Sequence, residues 1–298
     1  MAIWLSQGFN ALSLGSILLL IAIGLTFSFG LMNVINMAHG EMIMVGAYTA
    51  YVMQRQLDSL MGSAGLDVYL FLSLPIAFIV TALMGAVLER VLIRRLYGRP
   101  LDTLLATWGV SLVLQQAARS IFGAPNVQVI APSFLRSGLE IIDGFVMPYS
   151  RLFILALAAL CIVGVALYLT KTTGGRRIRA VMQNREMAGA LGVGTAYVDT
   201  MTFALGSGLA GVAGCALALL GPIGPALGTY YIVDAFMVVV LGGVGQLAGA
   251  VVAAFSIGGL TTFVEYSTSA SLAKVIVFVV VIAFLQWRPS GLVARHAR

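Results

Sequence analysis

KTTGGRRIRAVMQNREMAGALGVGTAYVD, residues Lys171 to Asp199, is a polar, basic interval between apolar runs long enough to cross a bilayer. Five of its residues are cationic: Lys171, Arg176, Arg177, Arg179 and Arg185. Short basic loops between spans stay on the cytoplasmic side, so this interval is expected inside the cell. A short helix is expected within it. Met187, Ala188 and Leu191 share one apolar face at helical spacing, and Gly192 or Gly194 supplies a stop. The charge is satisfied by a plain connector. The apolar face adds a second reading, a docking helix that passes force from a soluble partner into the membrane.

The rest of the composition agrees with a membrane setting. The chain is 60% hydrophobic and 9% charged, with a mean hydropathy of +1.01. Water-soluble domains carry about 25% charged residues, so the expected class is all-α, a polytopic transmembrane helix bundle forming one domain over residues 1–298. The net charge of +6 does not point to nucleic acid, because the cations gather in short loops between apolar runs. The first 54 residues hold no Lys or Arg. A secretory leader needs a positive start, so the first apolar run is expected to be a retained span. Cys161 and Cys215 each lie within an apolar run, without metal or disulfide spacing, and are expected to serve packing.

Nine apolar runs follow one another, at about Asn10–Leu31, Met37–Met53, Tyr69–Leu88, Leu101–Phe122, Leu152–Thr170, Thr200–Leu220, Tyr231–Leu241, Leu247–Val264 and Leu272–Gln286. A full span needs about 20 residues, so the run from Tyr231 is expected to be short, re-entrant or broken. Three basic clusters mark the cytoplasm: Arg90/Arg94/Arg95/Arg99, the quoted interval, and the tail with Arg288, Arg295 and Arg298. With the start outside and the tail inside, the crossings must be odd in number. Nine satisfies this, whereas eight requires one run to turn back. The longest outer connection, Gly123–Ser150, contains Pro125, Pro132 and Pro148. Stretches such as Val127–Ile130 suggest a small cap there, either a cover or a landing surface for a solute-binding protein.

The 34 glycines are placed in order. Gly206, Ala210 and Gly214 repeat at four-residue spacing, as do Gly211 and Cys215, and small faces of this kind let helices approach closely within a membrane. Gly242, Gly243 and Gly245 suggest a break in the chain after the short run. They lack the strand, helix and Lys of a phosphate-binding loop.

Polar residues cluster where they are expensive. Asn33, Asn36, His39 and Glu41 fall between the first two runs. A charge at mid-membrane costs at least about 2.5 kcal/mol, so Glu41 is expected at an interface, paired, or facing water. Asn36 as a helix cap and His39 as a turn hydrogen bond form the plain reading; a place on the translocation path is the other. His39 and Glu41, two residues apart on a helix, do not make a metal site. In the fourth run, Thr103, Thr107, Ser111, Gln115 and Arg119 recur every four residues and form one polar stripe opposite Leu105, Val110, Leu112 and Val113. The stripe suits interhelical hydrogen bonding or the wall of a polar passage. Asp234 is expected to cap a half-helix and face a mouth, and Glu265 to be interfacial.

These residues carry a resemblance. SLGSILLLIAIGLTFSFGLMNVINMAHGEMIMVGAYTAYV (residues 13–52), GRPLDTLLATWGVSLVLQQAARSIFG (98–123), RAVMQNREMAGALGV (179–193) and GPIGPALGTYYIVDAFMVVVLGGVGQLAGA (221–250) resemble permease subunits of the branched-chain-amino-acid type of ABC importer. VIAFLQWRPSGL (281–292) fits as well. RPLDTLLATWGVSLVLQQ and GTYYIVDAFMVVV are similar to the urea branch of that family, while Asn33 stands where the wider family more often has glycine. The resemblance implies a non-catalytic subunit in a bacterial inner membrane that imports urea by alternating access. Branched-chain amino acids or short amides are the alternative substrates. It implies partner ATPase chains, since this sequence has no Walker motif, a second homologous permease and a periplasmic binding protein. It places a coupling helix at Arg185, Glu186, Ala188, Leu191 and Gly192, and calls for no cofactor. From a different class, a stand-alone channel or ion-coupled carrier for a small polar solute is also compatible. An ion-coupled carrier calls for a mid-membrane carboxylate or His relay, which the sequence supplies weakly.

Overall fold

The computed structural model describes residues 2–32, 35–142 and 145–293. Asn33, Arg295 and Arg298 lie outside the described residues. Each of the nine apolar runs is the body of one helix: α1 (Ala2–Met32), α2 (His39–Met61), α3 (Ser63–Val91), α4 (Pro100–Phe122), α5 (Tyr149–Lys171), α8 (Thr195–Ala218), α9 (Leu227–Gly242), α10 (Leu247–Ser267) and α11 (Ala270–Trp287). Two further helices, α6 (Thr173–Gln183) and α7 (Arg185–Ala190), occupy the basic interval, where the sequence suggested one. Among the described residues, six of the eleven helices are long and apolar enough to cross a membrane: α1, α3, α5, α8, α10 and α11. The expected nine spans are therefore not matched by length and composition alone. α2 and α4 carry the polar clusters, and α9 has only 16 residues, about 24 Å at 1.5 Å per residue, against a hydrocarbon core of about 30 Å.

α1, α2, α3 and α8 form the centre, with α10 against α1 and α9 against α10, α1 and α2; α11 lies at the edge. The small face read on α8 is what permits this. A Cβ at Gly206 would lie 2.5 Å from the Gly24 carbonyl oxygen of α1, and one at Gly211 would lie 2.8 Å from the Ala77 oxygen of α3. Gly214 meets the α2 backbone at Ile43 in the same way. Cys215 is buried beside them, its thiol 3.2 Å from the Gly46 carbonyl oxygen, a packing residue with a weak donor. Gly242 ends α9, and Gly243 at φ +96° and Gly245 at φ +75° turn the chain into α10.

The connection from Gly123 to Ser150 folds into a small cap. Its strands are β1 (Gly138–Ile142) and β2 (Phe145–Pro148), an antiparallel hairpin. Val127 contributes a single bridge to Ile223 instead of a strand. Gln54 pins the cap by donating to the Ile130 carbonyl at 3.0 Å and accepting from its N–H at 3.2 Å. α5 begins at the cap and ends at α6, so the cap and the basic interval lie at opposite ends of that helix.

Candidate functional site

Two clusters that are far apart in sequence meet in space. α2 begins at His39, which puts Glu41 in the first helical turn, where the positive end of the helix dipole favours a carboxylate. Glu41 points at α4. Ser111 donates from Oγ to Glu41 Oε1 at 2.7 Å, and Gln115 donates from Nε2 to the same oxygen at 2.9 Å. Gln115 Nε2 is also 3.0 Å from Thr229 Oγ1 on α9. One turn earlier on α4, the Thr107 hydroxyl accepts from the Met37 N–H at 3.2 Å. The stripe thus faces the α2 entry, while Leu105, Leu112 and Val113 on the other side of α4 are exposed.

The first turns of α2 and α9 abut at this place. A Cβ at Gly40 would lie 2.6 Å from the Gly228 carbonyl oxygen, so glycine on both sides is needed for the contact. Two helix beginnings therefore converge beside one buried carboxylate, whose negative charge their dipoles favour. Among the described residues, Glu41 Oε2 and both polar atoms of the Asn36 side chain are buried without a hydrogen-bond partner. An unpaired buried polar group costs about 1–3 kcal/mol, so each of these groups has unused hydrogen-bonding capacity. The expected cap at Asn36 is not formed: Ala38 occupies the cap position, and no side chain caps α2. His39 does not bond across the turn either. Its Nε2 lies 3.3 Å from the Ile21 carbonyl of α1, on the other side of α2 from the Glu41 contacts.

Not every polar candidate joins the node. Thr103 bonds back to the Arg99 carbonyl of its own helix start at 2.8 Å, and Arg119 is exposed beside Asn126 and Tyr230. Asp234 is five residues past Thr229, about 140° round α9, and turns away. It pairs with Lys274 of α11 at 3.1 Å, in a cavity of about 370 Å³ that Glu265 also lines. Among the described residues no three His, Cys, Asp or Glu side chains converge as metal ligands.

The basic interval has its own geometry. Asn184 caps α7 by accepting from the Met187 N–H at 2.9 Å. Gly192, at φ +82°, closes it: its N–H bonds to Gly189 O and that of Val193 to Ala188 O, both at 3.0 Å. This is a Schellman stop. The expected common face of Met187, Ala188 and Leu191 is divided. Ala188 is buried against Ile178, Val181 and Val198 of this same chain, because α7 is a single short helix lying on α6 and α8. Met187 and Leu191 are 57% and 78% exposed.

Over residues 8–285 the chain matches the family model described as branched-chain amino acid transport system / permease component. The chain belongs to this permease family. The permease is 30% identical to the high-affinity branched-chain amino acid transport system permease protein BraD of Pseudomonas aeruginosa, over 98% of this chain and 96% of that one. It is also 30% identical to LivH of Salmonella typhimurium, with the same coverage. It is 27% identical to a probable LivH of Methanocaldococcus jannaschii, over 95% of this chain and 90% of the relative. No solved structure matches. With six helices among the described residues long and apolar enough to cross a membrane, the permease is a multi-pass membrane protein and a transport subunit, not an enzyme.

Several residues of this permease escaped the sequence reading. Thr229 reaches Gln115 from α9. At the other end, buried Glu89, Asp199 and Thr200 form one polar group with half-buried Tyr97 and exposed Arg94, which forks Glu89 at 3.2 and 3.0 Å. Burial, then the Asp199 and Glu89 carboxylates, push the Tyr97 phenol above its ordinary value, so it remains a donor to Glu89. Glu89 and Asp199 were legible in principle, since acids at the ends of apolar runs need partners.

Proposed function

We propose that this permease is the membrane-spanning subunit of an ATP-driven importer for branched-chain amino acids in a bacterial inner membrane. Similarity to permeases named for those substrates, extending over 98% of the chain, carries this reading. Residues 1–298 act as one domain that opens alternately to either side. A periplasmic binding protein delivers solute at the hairpin end. The solute passes the node of Asn36, Glu41, Thr107, Ser111 and Gln115, where Glu41 Oε2 accepts from its ammonium and Asn36 bonds its carboxylate. His39 supports α2 from behind, and Asp234 with Lys274 lines a second, outer cavity. Residues 171–199 are the coupling loop. Glu186, Met187 and Leu191 meet an ATPase subunit, with Ala188 and Gly192 shaping α7 from beneath. ATP hydrolysis resides on those partner chains, and a second homologous permease completes the pair.

Urea is the second reading. It rests on the resemblance of residues 99–116 and 228–240 to the urea branch, and on a stripe of uncharged hydrogen-bonding side chains suited to a neutral amide. Reconstitution with ATPase and binding-protein partners decides between the two: leucine-stimulated ATP hydrolysis supports the first, urea stimulation the second. A permease that purifies without ATPases and moves solute alone would be a channel or carrier, and both readings would fall.

A further inference from the structure

Arg185 opens α7, where a loop arginine is expected to face solvent or a partner. Its guanidinium instead reaches a buried carboxylate of this same chain, while the side chain remains 43% exposed. Its two terminal nitrogens fork Asp199, Nη1 to Oδ1 at 3.1 Å and Nη2 to Oδ2 at 2.5 Å. Asp199 is fully buried in the first turns of α8. The guanidinium carbon also sits 4.9 Å from the centre of the Tyr97 ring. Tyr97 donates to Glu89 Oε1 at 3.3 Å, and Glu89 accepts from Thr200 Oγ1 at 2.6 Å. Arg94 closes the group by donating to the Ala196 carbonyl at 2.9 Å and to Thr200 at 2.8 Å. One cluster thus joins α7, the start of α8, the end of α3 and the corner leading into α4.

α7 is otherwise held through the small Ala188 side chain, packed on Ile178, Val181 and Val198. An apolar contact of one methyl fixes little direction. A forked arginine–carboxylate pair stacked on an aromatic ring fixes both distance and angle. We propose that Arg185 is a positioning residue, an inward clamp that makes α7 move as one body with α8 and the α3–α4 corner, and not a contact to the ATPase. A displacement of α7 then reaches the corner at Tyr97 through side chains in direct contact, and α4, which carries Ser111 and Gln115, through the backbone that follows it. This inference rests on the reading that α7 docks an ATPase.

The test uses the complete complex of both permeases, ATPases and binding protein in lipid. Arg185→Met leaves Asp199 buried without its partner, so loss of assembly is expected of this variant whatever the role of the clamp. The decision falls to Arg185→Met combined with Asp199→Leu, which removes both charges at similar bulk. If the pair transmits movement, the double variant recovers thermal stability and complex yield, but solute moved per ATP hydrolysed falls by roughly tenfold. Native transport per ATP in that variant would reduce the pair to charge compensation and overturn the proposal. If the double variant does not assemble, Arg185→Lys serves: it keeps the charge and gives up the fork, and native transport per ATP there overturns the proposal equally. Failure of the docking reading itself has another signature. The ATPases would then stay bound when Met187 and Leu191 are both changed to Asp, a measurement that does not involve the clamp.

Discussion

The hydroxyl of Ser111 on α4 donates to Oε1 of Glu41 on α2 across 2.7 Å. This bond joins two polar stretches 70 residues apart in sequence. It leaves the second carboxylate oxygen, Oε2, buried and without a hydrogen-bond partner among the described residues. One carboxylate oxygen is therefore bonded and the other is not, and the binding role proposed for Glu41 rests on that difference.

Glu41→Gln tests whether the charge matters. The amide keeps the size and an acceptor for Ser111 and Gln115, so the thermal midpoint of the purified permease should stay within a few degrees of native, a change below about 1 kcal/mol. Uptake of a solute with an ammonium group should fall by roughly tenfold or more, since hydrogen bonds to charged groups contribute about 1.5–3 kcal/mol. Uptake of neutral urea should fall much less. Equal, native uptake of leucine by the variant would remove the Glu41 charge from the path.

Orientation is checked by thiol labelling in a chain whose Cys161 and Cys215 have been replaced. Arg177 and Ser137 are exposed at opposite ends of α5. In intact cells, Arg177→Cys should react only with membrane-permeant reagents and Ser137→Cys with impermeant ones as well. Labelling of position 177 from outside would invert the topology drawn from the basic clusters.

Much of this architecture was legible because the signals were periodic. The four-residue spacing of Gly206, Ala210 and Gly214 requires a tight helix face, and the spacing of Thr107, Ser111 and Gln115 requires a polar one. What each face meets was not legible, because the partners lie on helices distant in sequence. That is why Asn36 looked like a cap, and why Thr229 went unnoticed. Residues 184–192 show a different limit. The start and stop of α7 are local and follow from Asn184 and Gly192, but three apolar residues at helical spacing do not tell which of them the rest of the chain will cover. Ala188 is small enough to lie flat on α6 and α8, and the two larger side chains were left outside.

That division leads to opposite outcomes at neighbouring positions. Ala188→Asp puts an uncompensated charge among Ile178, Val181 and Val198, at a cost of about 3–5 kcal/mol. The permease itself should lose stability and yield, measurable without any ATPase present. Leu191→Asp, at a side chain 78% exposed, should leave the thermal midpoint unchanged and release the ATPases in a pull-down. Retained ATPases with Leu191→Asp would place the docking surface elsewhere on the interval.

Gln115→Leu separates packing from passage along the stripe. The native amide donates to Glu41 at 2.9 Å and to Thr229 at 3.0 Å, so it bridges α2, α4 and α9. Leucine keeps comparable bulk and suits a membrane helix, but it leaves Glu41 with Ser111 as its single donor among the described residues. The loss should be about 1–3 kcal/mol, seen as a lower thermal midpoint of the purified permease. If the stripe only holds helices together, a compensating stabilisation elsewhere, or assay well below the midpoint, should restore uptake to native levels at equal protein. If Gln115 also forms the wall along which solute exchanges its hydrogen bonds, uptake should remain depressed several-fold at full assembly, with ATPase subunits bound in native proportion. Native uptake by a fully assembled Gln115→Leu variant would remove this side chain from the pathway and leave it as the bridge between three helices.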